Sequence, residues 1–194
     1  MSPPLDTKRR GVDHLFKAFP FFSWEKELVM TDESKTLRLL LVDDEEDLVT
    51  FLAHRLRKRG IEVTMALSGH EAISAANELK FDVAVVDLKM PDLDGIAVIE
   101  QLRVSQPFIE ILMLTGHGSH ESAWEAGRLQ AFRYLMKPLD FDELHKHIQA
   151  AYESRCNRMK TEFETKLEAL MLSTTSPREL IQQSDELRRE YEQE

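Results

Sequence analysis

The stretch LRLLLVDD, residues 37–44, is the part of the sequence that decides the fold. A short and almost unbroken apolar run of this length predicts a β-strand that is covered on both faces, as in a parallel sheet. The run ends at Asp43 and Asp44. Because open α/β sheets bind ligands at the carboxyl ends of their strands, the two aspartates predict a functional site at that edge.

Alternating strand and helix patterns continue from this stretch to residue 153. Strands are predicted over residues 37–42, 62–66, 82–87, 111–114 and 132–136. Helices are predicted over 47–59, after the capping box at Ser68, after the turn that ends at Gly95, over 119–129 and from the N-cap Asp140. Five strands alternating with five helices predict a doubly wound α/β fold around a parallel sheet. The inward face of the first helix is predicted to be Leu48, Phe51, Leu52 and Leu56.

The segment before this unit, residues 1–36, shows no clear periodicity. Residues 30–36 form a short polar lead into the first strand, which suggests the hypothesis that translation begins at Met30 and that residues 1–29 are not always made. The alternative is a short amphipathic arm over residues 15–24, whose aromatic side chains pack on the domain.

A C-terminal helical extension is predicted over residues 154–194. Apolar residues recur every three or four positions from Tyr152 to Leu170, and a second helix is predicted after the break at 173–177. This pattern predicts a charged helical hairpin or two loosely coupled helices. The apolar stripe either folds back on the domain or forms a coiled-coil dimer, since it spans fewer heptads than a coiled-coil assignment requires.

The composition limits the possible partners. A formal net charge of -10 opposes non-specific binding to nucleic acid, and residues 154–194 have no helix-turn-helix pattern, so DNA is not expected as a partner. No apolar stretch approaches the ~20 residues that cross a bilayer, and no membrane partner is expected. The single cysteine, Cys156, cannot form an internal disulfide, which favours a cytoplasmic location.

Three further polar residues lie at the ends of predicted strands: Asp87, Thr115 and Lys137. In a parallel sheet they would gather with Asp43 and Asp44 at the carboxyl edge. Three carboxylates at one edge repel each other and raise their proton affinities unless a cation neutralises them. Since Mg²⁺ prefers oxygen ligands of this kind, the sequence predicts a Mg²⁺ site.

The same residues suit phosphoryl transfer, which needs an in-line nucleophile and positive charge on the equatorial oxygens. Asp87 is predicted to be the nucleophile and to form an aspartyl phosphate, while Lys137 supplies a point charge and Thr115 a hydroxyl hydrogen bond. Taken one at a time, these residues have simpler explanations. An Asp pair can begin a helix, a lysine can lie in solvent, and a threonine can end a strand.

Four motifs carry a resemblance to a known family. They are LVDDE at 41–45, VVDLKMPDLDG at 85–95, LTG at 114–116 and YLMKP at 134–138. Over residues 37–153 the chain resembles the receiver domains of response regulators in two-component signalling. The resemblance implies the flavodoxin-like strand order 2-1-3-4-5. It also implies a signalling protein that is not an enzyme, beyond catalysing its own phosphorylation and dephosphorylation.

The resemblance implies which residues act at the site. Asp87 would receive the phosphoryl group from the phosphohistidine of a histidine kinase. Mg²⁺ would be held by Asp44, Asp87 and the main-chain carbonyl of Lys89, and through water by Asp43.

A conformational switch and its partners are also implied by the resemblance. Phosphorylation would draw Thr115 toward the phosphoryl group and turn Tyr134 inward, which would repack the surface formed by helix 119–129, the fifth strand and the last helix. The partners would be a histidine kinase or phosphotransfer protein, and a downstream protein or a second copy of the chain. A homodimer would use the tail or that surface. The Lys137–Pro138 peptide bond is expected to be cis.

The chain departs from the family's usual pattern at two positions. Gln130 stands where relatives usually carry glycine, and Trp124 stands where a smaller apolar residue is usual, either as part of the core or as a partner contact. Lys89 and His117 occupy positions that tune the lifetime of the phosphoryl group in the family.

Two other classes of protein are alternatives. A pseudo-receiver is a binding module regulated without phosphate, and its expected mark is the loss of an acidic-pair residue, the acceptor aspartate or the lysine, all of which are present here. A haloacid-dehalogenase-like phosphatase also uses a strand-end aspartate and Mg²⁺. That class carries a second aspartate two residues after the first, where this sequence has Lys89.

Overall fold

The computed structural model of the protein describes residues 36–116, 131–174 and 176–194. Several predictions concern residues outside these ranges. They are the start at Met30, the arm over 15–24, the helix over 119–129 with Trp124, and the positions of His117 and Gln130.

The described residues form five strands and five helices, numbered here in chain order. The strands are β1 (Arg38–Val42), β2 (Glu62–Ala66), β3 (Val83–Asp87), β4 (Glu110–Thr115) and β5 (Arg133–Met136). The helices are α1 (Glu46–Arg57), α2 (Gly69–Glu78), α3 (Gly95–Ser105), α4 (Phe141–Ser173) and α5 (Pro177–Glu192). Among the described residues, no helix is long and apolar enough to cross a membrane.

All five strands are parallel and lie in the order β2-β1-β3-β4-β5, which confirms the predicted topology. Each strand has four to six residues, and β3 and β4 are buried along their whole length. Strands buried on both faces need helices on both faces, because neither face can be left to water. The sheet therefore separates two apolar layers.

The two layers are formed by alternate residues of the same strands. On one side Leu39 and Leu41 of β1 pack with residues of α1 and the first part of α4. On the other side Leu40 and Val42 pack with residues of α2 and α3. All four of these side chains are fully buried, so a shift of β1 by one residue would exchange the contents of the two layers.

The predicted inward face of α1 is wrong at one position. Phe51 is 55% exposed, while the buried residues of α1 are Val49, Leu52, Ala53 and Leu56. These four follow the spacing i, i+3, i+4, i+7 of a single helical stripe, and Phe51 falls outside it. The Phe51 ring instead lies beneath the guanidinium of Arg55, with Cζ 5.5 Å from the ring centroid.

The tail is a helical hairpin. α4 runs for 33 residues without interruption, so the predicted domain boundary between residues 153 and 154 falls inside one helix and stays a prediction.

α5 returns along α4, where the ring of Tyr191 meets Phe163 edge to face at a centroid distance of 5.4 Å. The same ring lies 5.7 Å from that of Phe108. The apolar stripe of α4 is therefore covered by α5 within one chain, and dimerisation through the tail stays a prediction.

Candidate functional site

The register of the strands explains why the predicted site residues meet. Val42 pairs with Val86, so Asp43 and Asp87, which follow these two residues, lie side by side at the ends of adjacent strands. On the other flank of β3, Thr115 ends β4 and pairs with Met136 of β5.

Lys137 directly follows β5, and a main-chain hydrogen bond holds it at the same edge of the sheet. Its amide donates a hydrogen bond to the carbonyl oxygen of Thr115 at 2.7 Å. The peptide bond from Lys137 to Pro138 is cis, as expected. The sheet thus brings residues from four strand ends to one place, and their common location does not depend on the positions of flexible side chains.

Three carboxylates form a cluster at this edge. Asp43, Asp44 and Asp87 each offer an oxygen atom that lies within 4.8 Å of the others. Asp43 is 1% exposed and Asp87 is 5% exposed, while Asp44 is open to solvent. Buried carboxylates at this separation repel each other strongly unless positive charge lies between them.

Lys137 supplies part of that charge. Its Nζ atom lies 2.6 Å from Asp43 Oδ2, 2.8 Å from Asp87 Oδ2 and 3.3 Å from Glu45 Oε1. Burial favours the neutral amine, but the interactions with Asp43 and Asp87 together outweigh it and raise the pKa of Lys137 above its ordinary value. The ammonium group therefore stays charged at neutral pH and bridges two buried carboxylates.

Asp43 is less well compensated than this ion pair suggests. Burial raises the pKa of Asp43, although Lys137 and the amide of Glu45 act in the opposite direction. The Glu45 amide donates to Asp43 Oδ1 at 3.0 Å, while the buried Oδ2 atom has no well-aligned hydrogen-bond donor among the described residues. A buried acidic oxygen that faces an ammonium group at 2.6 Å without a well-aligned hydrogen bond, in a cluster of hard oxygen ligands, fits a divalent cation such as Mg²⁺.

The second oxygen of Asp87 is held by the loop that follows β3. The amide of Lys89 donates to Asp87 Oδ1 at 3.2 Å. Both oxygens of the Asp87 carboxylate thus have a donor, one from Lys89 and one from Lys137, so its orientation is fixed from both sides.

Gly95, the first residue of α3, allows this loop to turn tightly behind Asp87. A Cβ atom at position 95 would overlap the main-chain oxygen of Asp87 and would lie 2.7 Å from the Cα of Leu88. Any residue with a side chain would therefore displace the end of β3. The sequence predicts a turn around Gly95, and this close approach is the physical reason why the turn needs a glycine there.

A cleft of about 690 Å³ opens beside the carboxylates. Its lining includes Asp44, Thr115 and residues 88–94. Thr115 is 1% exposed and lies at the end of β4 as predicted. Tyr134 lies in β5 and is half-buried against the apolar layer that contains α2 and α3, and it is not among the residues that line the cleft.

Two features of the site were not predicted from the sequence. Glu45 contacts Lys137, and its position directly after the aspartate pair was the available signal. Asp92 bonds to the first turn of α2, a partner more than twenty residues away that no local pattern indicates.

Comparisons with known proteins identify the family. The family model of the response regulator receiver domain matches residues 39–149, which is more than half of the chain. The chain belongs to this family. The receiver domain is also similar to solved structures of the same fold. A CheY-like receiver domain protein from Methanospirillum hungatei gives a TM-score of 0.62 at 26% identity, over 64% of this chain and 99% of that one. The chemotaxis protein CheY4 of Vibrio cholerae gives a TM-score of 0.58 at 32% identity, over 60% of this chain and 99% of that one.

Curated relatives contain this receiver domain within longer chains. The transcriptional regulatory protein ZraR of Salmonella typhimurium is 40% identical over 113 residues, which is 58% of this chain and 26% of the relative. The transcriptional regulatory protein GlrR of Escherichia coli is 34% identical over 155 residues, which is 78% of this chain and 35% of the relative. The chain thus spans about a quarter to a third of these relatives. Because they are named as transcriptional regulators, the expectation that DNA is not a partner has no support from the comparisons.

Proposed function

We propose that the chain is a phosphoryl-accepting receiver of a two-component system, with Asp87 as the acceptor. The observation that carries the proposal is the Asp87 carboxylate itself. It is almost buried, lies 2.8 Å from Lys137 Nζ, and has oxygen atoms of Asp43 and Asp44 within 4.8 Å. This arrangement combines a nucleophile, a fixed cation and a set of hard oxygen ligands at the end of one strand.

The donor would be the phosphohistidine of a histidine kinase or of a phosphotransfer protein. One oxygen of Asp87 attacks the phosphorus atom, the phosphorus–nitrogen bond breaks, and the imidazole leaves with the bonding electron pair and takes up a proton. Asp87 becomes an acyl phosphate. Mg²⁺, which Asp44, Asp87 and the main-chain carbonyl of Lys89 would hold directly and Asp43 through water, would neutralise charge on the phosphoryl oxygens.

The other residues have separate tasks in the proposal. Lys137 holds Asp87 in place before transfer and offers its ammonium group to a phosphoryl oxygen afterwards. Thr115 lines the cleft and offers its hydroxyl to the phosphoryl group, and with Tyr134 it forms the switch that reports phosphorylation to a protein partner. The partner would be a downstream protein or a second copy of the chain.

Phosphoryl uptake tests this proposal. We expect the full chain, incubated with acetyl phosphate and Mg²⁺, to gain the mass of one phosphoryl group, which hydroxylamine then removes as it does other acyl phosphates. Asp87→Asn should gain none, and chelation of Mg²⁺ should abolish uptake by the wild-type protein.

Glu46→Gln is the matched control, since it removes an exposed carboxylate from the first turn of α1 close to the same edge. It should be phosphorylated like the wild type. Uptake by Asp87→Asn at the wild-type level would show that another residue is the acceptor. A wild-type chain that stays unmodified by acetyl phosphate and by phosphorylated kinases would favour the pseudo-receiver alternative, a binding module that works without phosphate.

A further inference from the structure

The loop of residues 88–94, which follows Asp87, is attached to the first turn of α2 by one side chain. Asp92 Oδ1 accepts a hydrogen bond from the amide of Gly69 at 3.2 Å, and Asp92 Oδ2 accepts one from the amide of His70 at 3.2 Å. The same Oδ2 atom lies 2.9 Å from Nδ1 of the His70 ring. Asp92 therefore caps a helix that lies in a different part of the chain.

The helix does not depend on this distant cap for its own start. Ser68 is its N-cap residue, and the Ser68 hydroxyl already accepts from the amide of Glu71. His70 is exposed, so water could replace Asp92 at its amide, whereas Gly69 is buried. The larger consequence of the Asp92 contacts therefore falls on the loop, which has no secondary structure of its own.

Close packing presses the same two segments together. A Cβ atom at Gly69 would lie 2.8 Å from Leu93 Cβ and 2.8 Å from Val98 Cγ2. Leu93 belongs to the loop and Val98 to α3, so the helix start lies closer to both than a residue with a side chain permits. The loop is thus held by polar contacts through Asp92 and by an apolar contact through Leu93.

The charge of Asp92 favours this attachment. The hydrogen bond with His70 and the bonds from the main-chain amides hold the pKa of Asp92 well below its usual range. A carboxylate near the positive end of a helix dipole is also favoured electrostatically. Asp92 therefore remains ionised at neutral pH, where it can accept all of these bonds.

We propose that Asp92 is a positioning residue for the metal-binding loop: by fixing residues 88–94 on α2, it holds Lys89 beside Asp87. The Lys89 amide already bonds to Asp87 Oδ1, and the proposed function assigns the Lys89 carbonyl to the Mg²⁺ ligand set. This inference rests on that proposed function. Release of Asp92 would loosen the loop and weaken Mg²⁺ binding, although Asp92 itself is not a ligand.

Calorimetric titration of the full chain with Mg²⁺, without any phosphodonor, tests this inference. We expect Asp92→Ala to raise the Mg²⁺ dissociation constant roughly tenfold, which is the lower end of the loss seen when outer-shell partners of metal ligands are removed. Asp94→Ala is the charge-matched control. It removes one negative charge from the same loop, but the Asp94 side chain bonds to Ile96 in its own helix. Its effect should therefore be clearly smaller.

Two further variants separate positioning from helix stability. Ser68→Ala removes the local cap of α2, and it should lower stability toward urea without changing the Mg²⁺ dissociation constant. Gly69→Ala pushes on Leu93 from the other side, and it should weaken Mg²⁺ binding in the same direction as Asp92→Ala. Amide hydrogen exchange over residues 88–94 should become faster in Asp92→Ala and Gly69→Ala, and stay unchanged in Ser68→Ala.

The outcomes distinguish this inference from the proposed function. Equal dissociation constants for Asp92→Ala and Asp94→Ala would overturn the positioning role while leaving the metal site in place. A loss of affinity in Ser68→Ala as large as that in Asp92→Ala would reduce the role of Asp92 to helix stability, and would also overturn it. If the wild-type chain binds no Mg²⁺, the proposed function itself is wrong.

Discussion

An aspartate lies at each end of β3, and the charged groups around the two carboxylates are balanced in opposite ways. Asp82, directly before the strand, is 1% exposed, and Asp87, its last residue, is 5% exposed. Asp82 accepts hydrogen bonds from the amide of Arg38 at 2.8 Å and from its guanidinium at 2.8 Å and 3.3 Å. The guanidinium of Arg155 lies 3.3 Å away. At the amino end, one carboxylate thus meets two cations.

The carboxyl end has the reverse balance. There, among the described residues, three carboxylates lie in one cluster, and two of them, Asp43 and Asp87, contact the ammonium group of Lys137. Asp82 is satisfied by the protein alone, which is what a permanent structural contact requires. The cluster around Asp87 keeps an excess of negative charge that the protein alone does not neutralise. This difference separates a structural ion cluster from one that can take a cation and a phosphoryl group.

The largest expected effect comes from breaking the amino-end cluster. Asp82→Ala would remove the buried carboxylate that faces both Arg38 and Arg155, and Arg155 is 4% exposed. The two guanidinium groups would keep their hydrogen bonds to the main-chain oxygen of Glu194, but they would lose the charge of Asp82. We expect the free energy of unfolding, measured in urea, to fall by about 3–5 kcal/mol.

Asp142→Ala is the matched control for this prediction, because it breaks an ion pair with Arg59 in which both side chains are about half exposed or more. That pair should contribute less than about 1 kcal/mol. Losses of equal size at Asp82 and Asp142 would mean that the amino-end cluster contributes no more than a surface pair.

A smaller loss is expected at the carboxyl end, where backbone packing rather than charge is at stake. In Gly95→Ala the new Cβ atom would overlap the main-chain oxygen of Asp87, and overpacking of this kind costs about 1–3 kcal/mol. Gly116→Ala is the control, since a Cβ atom there would meet no atom of the described residues within 4 Å. The control should be neutral or slightly stabilising. A Gly95→Ala variant as stable as Gly116→Ala would contradict the close approach.

The smallest effect should have the opposite sign. Burial raises the pKa of Asp43 above its ordinary value of 3.8. The protonated form therefore favours the fold below that value, and this contribution is lost as the pH rises through the folded-state pKa. In metal-free protein at pH 7, Asp43→Asn should consequently give a small gain in the free energy of unfolding, and the gain should vanish as the pH falls toward 3.8.

Saturating Mg²⁺ should remove the advantage of Asp43→Asn, because a cation that binds the folded state stabilises the wild type more than a variant with a weaker site. Glu45→Gln is the control, with a side chain 64% exposed, and its stability should change by less than about 0.5 kcal/mol. A metal-free Asp43→Asn variant that is less stable than wild type at pH 7 would mean that the ion pair with Lys137 outweighs the cost of burial.

Much of the fold and of the cluster at the carboxyl end was predictable, and the reason is physical. A parallel strand buried on both faces is a run of apolar residues, and the residue after the run must lie at the carboxyl edge. Asp43, Asp87, Thr115 and Lys137 all follow such runs, so their common location follows from the chain's local pattern. Phe51 shows the limit of such patterns, because a helix with six apolar residues among positions 48–56 allows more than one stripe.

The contacts that could not be predicted join residues that are distant in the sequence. Arg155 meets Asp82 only because α4 crosses the amino end of β3. In the sequence Asp92 has the pattern of an ordinary turn residue, and its contacts become evident only in the structure, where α2 lies beside the loop. Such pairs depend on where helices lie on the sheet, which the hydrophobic period does not specify. The continuous helix from Phe141 to Ser173 also extends past the point where the resemblance to the family ends.

Because α4 is long, a small tilt at its first turn would move its far end by a larger distance. Phe141 lies four residues after Lys137, and 33 helical residues extend for about 50 Å. A tilt of about 5° around the first turn would move the far end of such a rod by about 4 Å. A rearrangement around Lys137 that leaves the sheet unchanged would therefore displace the far end of the hairpin by about the diameter of a methyl group.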